Sequence, residues 1–257
     1  NALAGAGVEF VATDRRRIKD HPYRIEVYDL LDREGVYKLF DEGVTTLVHL
    51  GNYPNASLAD AQRMFQENVS MNMNILQAAA ECGVTKVIFS SSVQVIRGGW
   101  EIQGSKLPYL PLDGDAPPNP ANPYALSKVT GEIQLQYFVN TGAFKEAVSI
   151  RLPFLPSKKS RYFSAIPAKG YGNKLEAFAF LRAEDAAHLI LKCLQTRLPG
   201  YRCYFPASTI PSNAESVQHL LATEYTDVPL KKPAAEITAL VDCSRITQET
   251  GWEPPGR

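Results

Sequence analysis

The amino-acid sequence predicts an α/β fold: a doubly wound, Rossmann-like parallel sheet with a smaller part toward the C-terminus. Three observations lead there. Short β-branched runs alternate with helical stretches from the first residues onward, the spacing between runs is that of crossover connections, and after residue 152 the alternation loosens. Parallel strands joined by helices bury both faces of their sheet, so helices are expected on each side.

The elements follow in order. Residues 1–7 are predicted to close a helix, with Gly7 as its cap. Strands are expected at 9–13 and 24–28, a helix at 32–42, and a strand at 45–50 that ends in Val-His-Leu. A long helix from about residue 58 to 81 has apolar residues three and four apart, and leads to a strand at 86–90. A third helix at 122–138 precedes a strand at 147–152. Before that helix lies a proline cluster, Pro108, Pro111, Pro117, Pro118, Pro120 and Pro123, which demands irregular chain because proline lacks an N–H and restricts its predecessor. Farther on, helices are expected at 184–194, 214–223 and 242–251, with a loop at 205–211. The expected division is a dinucleotide-binding domain over 1–155 and a smaller substrate-binding part over 156–257.

Composition narrows the function classes. The 257 residues carry 27 basic and 27 acidic side chains, a balance unsuited to coating nucleic acid or an anionic membrane. No apolar run approaches the ~20 residues that cross a bilayer, and the start lacks the regions of a secretory signal. A soluble, cytoplasmic protein acting on a small molecule is expected. Cys82, Cys193, Cys203 and Cys243 form no C-x-x-C pair and are expected as buried, reduced thiols. His21, His49, His188 and His219 are far apart, so no metal site is expected, and His49 reads as a packed or crevice-lining residue.

The chemistry-bearing residues lie around the strand at 86–90. Val87-Ile-Phe-Ser-Ser-Ser92 is an apolar strand ending in hydroxyls, at the carboxyl end where open parallel sheets bind ligands. Tyr124-Ala-Leu-Ser-Lys128 follows, with phenol and ammonium one helical turn apart on one face. A nearby cation favours phenolate, so Tyr124 is a candidate general acid or base, and Lys128 is expected to lower its pKa. Alone, the motif reads more often as an exposed tyrosine beside a solvated lysine; the serine-ended strand upstream reverses that and makes the set specific.

On these residues the chain resembles the extended short-chain dehydrogenase/reductases, the NAD-dependent epimerase/dehydratase family. Val11-Ala-Thr-Asp14, Asp29-Leu30, Leu47-Val-His-Leu50, Asn68-Val69, Asp242-Cys-Ser-Arg245 and Thr250-Gly-Trp-Glu-Pro254 are similar to further segments of that family. The resemblance implies a catalytic set of Ser92, Tyr124 and Lys128. It implies a cofactor-binding set of Asp14, Arg15, Asp29, Leu30, Leu50, Gly51, Asn68, Ser90, Tyr124 and Lys128. Asp14 would bind the adenosine ribose and favour NAD, whereas Arg15-Arg16-Arg17 would accommodate the 2′-phosphate of NADP. A homodimer through the helix holding Tyr124 and the long helix before Lys86 is a further family expectation.

The sequence departs from the family in two places. No G-x-G-x-x-G is present; Gly5-Ala-Gly7 lacks the third glycine and lies only 7 residues before Asp14, where ~20 are needed. The first strand and its glycine loop are therefore expected to precede Asn1. Val93-Gln94 follows Ser92 where 4,6-dehydratases carry an acid pair, so dehydration is disfavoured. The expected activity is an oxidoreductase or epimerase working on a sugar or nucleotide sugar. The alternatives are a uronate or other sugar dehydrogenase that releases NADH, and a non-catalytic NAD(P)-sensing module. Residues 158–174 carry five basic side chains and no acid, suited to a diphosphate or sugar carboxylate or else simply solvated.

Overall fold

A computed structural model describes residues 2–18, 21–40, 43–54, 60–97, 106–156, 166–170 and 172–256. Helix α1 (Ala2–Gly5) closes at Gly7, whose positive φ of 69° lets the chain turn away, as expected. Strands β1 (Ala12–Asp14) and β2 (Ile25–Val27) pair in parallel as a two-stranded sheet. Strands β3 (Thr46–His49), β4 (Lys86–Ser92), β5 (Glu146–Leu152) and β6 (Gly200–Tyr204) form a second, wholly parallel sheet in that order.

Crossovers α2 (Ala61–Glu81), α3 (Pro123–Asn140) and α4 (Ala183–Gln195) join the strands of the second sheet. Period-two alternation along the strands assigns each side chain to a layer. Val87, Phe89 and Ala147 pack with α2 and α3 through Leu76, Leu135 and Phe138. Ile88, Val148 and Ile150 pack on the opposite face with Leu189 of α4 and with Trp252. The sheet is thus doubly wound. Helices α5 (Val217–Thr223) and α6 (Ser244–Thr250) complete the described elements near the C-terminus.

Three expectations change. Residues 32–42 hold only a 3-10 turn at Gly35–Leu39, where the Asp32 carboxylate takes the Gly35 N–H at 3.0 Å and so caps the turn locally; 41–42 lie outside the described residues. Strand β6 was not expected; Arg202 at its centre interrupts the apolar pattern and reaches Glu249 of α6 at 3.2 Å. Cys82, expected in the core, is exposed at the end of α2, because the helix stops there and Gly83 turns the chain. The other three cysteines are buried, and burial raises their thiols to about 12 for Cys193 and Cys203 and about 11 for Cys243. The proline-rich segment is irregular, with isolated bridges at Leu110 and Leu112. Lys158, Lys159 and Arg161 of the basic run lie outside the described residues.

Candidate active site

The site forms where the carboxyl ends of β3 and β4 meet the first turns of α3. Ser92 ends β4 in extended conformation, and its Oγ accepts the Gln94 N–H at 3.2 Å. The start of α3 is set by Asn122, whose Oδ1 accepts the Ala125 N–H at 2.8 Å, and by Pro123, preorganised for a first helical position. Asn122 Nδ2 also donates to Gln94 Oε1 at 3.1 Å, tying the helix start to the turn after Ser92. Tyr124 and Lys128 therefore project one turn apart beside the end of β4, and both are buried, as is Ser92.

The three side chains form one constellation. The Ser92 hydroxyl faces the Tyr124 phenol and acts to lower its pKa. The Lys128 Nζ lies 5.8 Å from the Tyr124 ring centroid and 5.0 Å from that of Phe89. It donates to the Ser90 carbonyl at 2.7 Å and to Asn52 Oδ1 at 2.9 Å. Burial lowers Lys128 to about 7, against the opposing charge of Glu132.

The expected lowering of the Tyr124 pKa is not what the geometry yields. Burial raises it, outweighing the Ser92 hydroxyl, and the charge of Glu176 adds to the rise. Helical spacing sets the reach between Tyr124 and Lys128 but not the burial of the phenol, and Lys128 is engaged by Ser90 and Asn52. Glu176, which the sequence reading did not single out, ends a 3-10 turn at Lys174–Glu176, and burial raises its carboxyl to about 7.

The remaining expected residues fall into two groups. Asp14 ends β1, with Oδ1 accepting the Arg16 N–H at 2.9 Å, while the Arg15 guanidinium lies 5.3 Å over the Tyr53 ring. Leu30 meets Gly51 so closely that a Cβ on Gly51 would come 2.8 Å from Leu30 Cδ1. Leu50 is exposed, and the Asp29 carboxylate accepts the Leu31 N–H at 3.0 Å. These residues gather along the ends of β1, β2 and β3. Asn68 differs: it is fully buried, with Oδ1 taking the Tyr53 N–H at 2.8 Å and Nδ2 donating to Ser127 Oγ at 3.0 Å. It ties the loop after β3 to α3 rather than presenting a polar face to a ligand.

Sequence reasoning also missed Asn52, Asn72 and the role of His49. His49 Nε2 and Asn72 Oδ1 are 2.9 Å apart, and Asn52 Nδ2 donates to the same oxygen at 2.9 Å. Burial lowers His49 to about 4, only partly offset by the Asn72 hydrogen bond, and the Lys128 charge lowers it further. One signal was available: Asn72 follows Asn68 by four residues, placing two amides on the apolar face of α2.

The donor set suits the two riboses of a dinucleotide. Asp14 offers a carboxylate at the end of β1, and Lys128 retains one of its three N–H donors after Ser90 and Asn52. Gly51 lets backbone approach where a side chain would collide with Leu30. Among the described residues no glycine-rich strand-to-helix turn is present to cradle the pyrophosphate.

Comparison with known proteins bears on the family and the fold. The NAD dependent epimerase/dehydratase family matches residues 1–201. The chain is 32% identical over 139 residues to a uronate dehydrogenase of Pseudomonas syringae pv. tomato, covering 52% of this chain and 45% of that protein. It is 31% identical to a GDP-6-deoxy-D-mannose reductase of Pseudomonas aeruginosa, covering 88% of this chain and 81% of that protein. Against the first of these relatives and others like it, the chain spans about half the relative's length. A short-chain dehydrogenase/reductase superfamily structure from Agrobacterium tumefaciens with bound NAD superposes with a TM-score of 0.71 at 20% identity, covering 99% of this chain and 87% of that one. MoeE5 in complex with UDP-glucuronic acid and NAD gives 0.69 at 19% identity, covering 98% and 88%. The chain belongs to the NAD-dependent epimerase/dehydratase family.

Proposed function

We propose that the protein is an NAD-dependent oxidoreductase or epimerase acting on a sugar or nucleotide sugar. The observation that carries this reading is the meeting of Ser92, Tyr124 and Lys128 at the end of β4. Bound nicotinamide would supply the hydride acceptor and donor. Ser92 and Tyr124 would hold the substrate oxygen between them. Tyr124, kept as a neutral phenol by burial, is set to give a proton to a carbonyl oxygen; in the reverse direction Lys128, 5.8 Å from the Tyr124 ring, would have to favour the phenolate against that burial. Lys128 would hold the nicotinamide ribose through its remaining N–H, and Asp14 the adenosine ribose, with Leu30, Gly51 and Leu50 beside the adenosine. Arg15, beside Asp14 and over Tyr53, leaves NADP as the alternative cofactor.

In this reading residues 1–155 hold the cofactor and 156–257 supply much of the substrate side, including Glu176. Dehydration is disfavoured: Val93 is buried and the Gln94 amide is engaged by Asn122. Leu126, Ile133 and Tyr137 on α3 and Met73 on α2 are exposed apolar side chains, which supports a homodimer across these helices. No described helix is long and apolar enough to cross a membrane.

A second reading is a sugar or uronate dehydrogenase that releases NADH, favoured by the similarity to uronate dehydrogenases. A panel of free sugars, uronates and nucleotide sugars, incubated with NAD and followed at the nicotinamide absorbance, separates the two. A dehydrogenase accumulates NADH, whereas an epimerase converts substrate without it. Conversion of no sugar in the panel, together with tight NAD binding, would favour a sensing module instead.

A further inference from the structure

As an ammonium, Lys128 has three donors and no acceptor, so every neighbour that hydrogen-bonds the charged form must present an acceptor. This fixes the direction of a chain of side chains behind it. Asn52 must turn Oδ1 toward Lys128 Nζ, 2.9 Å away, and so turns Nδ2 toward Asn72 Oδ1, also 2.9 Å away. Asn72 must then receive from His49, whose Nε2 is 2.9 Å from the same oxygen. A neutral His49 does this only as the Nε2–H tautomer. The arrangement leaves Asn72 Nδ2 buried without a hydrogen-bond partner among the described residues. A reversed Asn72 would set its nitrogen against the Asn52 Nδ2 donor, so the orphaned group follows from holding the oxygen inward.

We infer that Asn52, backed by Asn72 and His49, is a positioning residue that holds the Lys128 amine charged and in one place for proton transfer at Tyr124. The inference rests on the reading of Lys128 as a catalytic group. Other groups also face Lys128: Tyr124 and Glu132 from α3, His49 from β3, and the Phe89 ring and Ser90 carbonyl from β4. Of these, Glu132 favours the ammonium and burial opposes it. A hydrogen bond accepted by Asn52 acts in the same sense as Glu132.

The test is an NMR titration of lysine labelled with ¹³C at Cε in the whole chain, with the Lys128 resonance identified by its loss in Lys128→Met. Asn52→Ala removes an acceptor and should lower the Lys128 midpoint; Asn52→Asp adds a carboxylate and should raise it by about one pH unit or more. The pH profile of kcat should move the same way, and kcat of Asn52→Ala should fall about tenfold, with KM little changed. Thermal unfolding establishes that each variant is folded. An unmoved midpoint in both folded variants overturns the inference. Should Asn52→Ala not fold, Asn52→Asp decides alone, and an unmoved or lowered midpoint overturns it. Full activity in Lys128→Met overturns instead the catalytic reading, and it is told apart because the titrations do not depend on turnover.

Discussion

Arg151 and Glu132 meet in two charge-assisted hydrogen bonds, Nε to Oε1 at 3.0 Å and Nη2 to Oε2 at 2.8 Å, with both side chains 4% exposed. The same carboxylate accepts the Ser91 hydroxyl at 2.6 Å, so β4, β5 and α3 are tied together beside Ser92 and one turn from Lys128. Breaking such a pair leaves one charge buried and unpaired. Glu132→Gln or Arg151→Met should each destabilise the fold by about 3–5 kcal/mol in a urea titration. The double variant should lose less than the sum of the two.

Gly131 lies where α3 presses on β4 and α2. A Cβ there would come 2.5 Å from Phe89 Cζ and 2.8 Å from Asn72 Nδ2. Phe89 packs beneath the Lys128 amine, and Asn72 belongs to the chain that ends at it. Gly131→Ala should therefore cost about 1–3 kcal/mol through overpacking and also reduce kcat, by moving Lys128. Equal activity at reduced stability would show that the close packing serves the fold alone.

His49 gives stability a pH dependence. Burial holds its folded value at about 4, below the 6.5 of the unfolded chain. Above about 6.5 neither state binds the proton; as pH falls through this window toward 4, the unfolded chain binds it and the folded chain does not. Stability from this group is thus fully present above 6.5 and lost as pH falls through 4, by about 3 kcal/mol in all. His49→Gln retains a donor for Asn72 without titrating. Its urea midpoint should fall less steeply than the wild type's between these pH values.

Much of this was legible in the sequence, for physical reasons. The continuous apolar run of Val87, Ile88 and Phe89 reads as a strand buried on both faces, as it is, and helical spacing placed Tyr124 and Lys128 together. Gly7 marked a helix end because a positive φ suits glycine. Strand β6 was not legible, since Arg202 is accommodated by Glu249, a contact that exists only once α6 packs nearby. The rise in the Tyr124 pKa depends on tertiary burial and on the charge of Glu176, which no local pattern contains. Asn52 lies in irregular chain after β3, and its role depends on α2, α3 and β3 converging.

The most direct test of the central claim compares wild type with Tyr124→Phe, in the presence of NAD and whichever sugar of the panel the wild type converts. The substitution removes one hydroxyl from the buried site, and the fold should survive it with a thermal midpoint close to the wild type's. The account predicts that kcat falls by about 10²–10⁴ while NAD binding persists, because only the proton-transfer group is lost. An unchanged kcat in the folded variant would contradict it, and would remove Ser92, Tyr124 and Lys128 as the seat of the reaction.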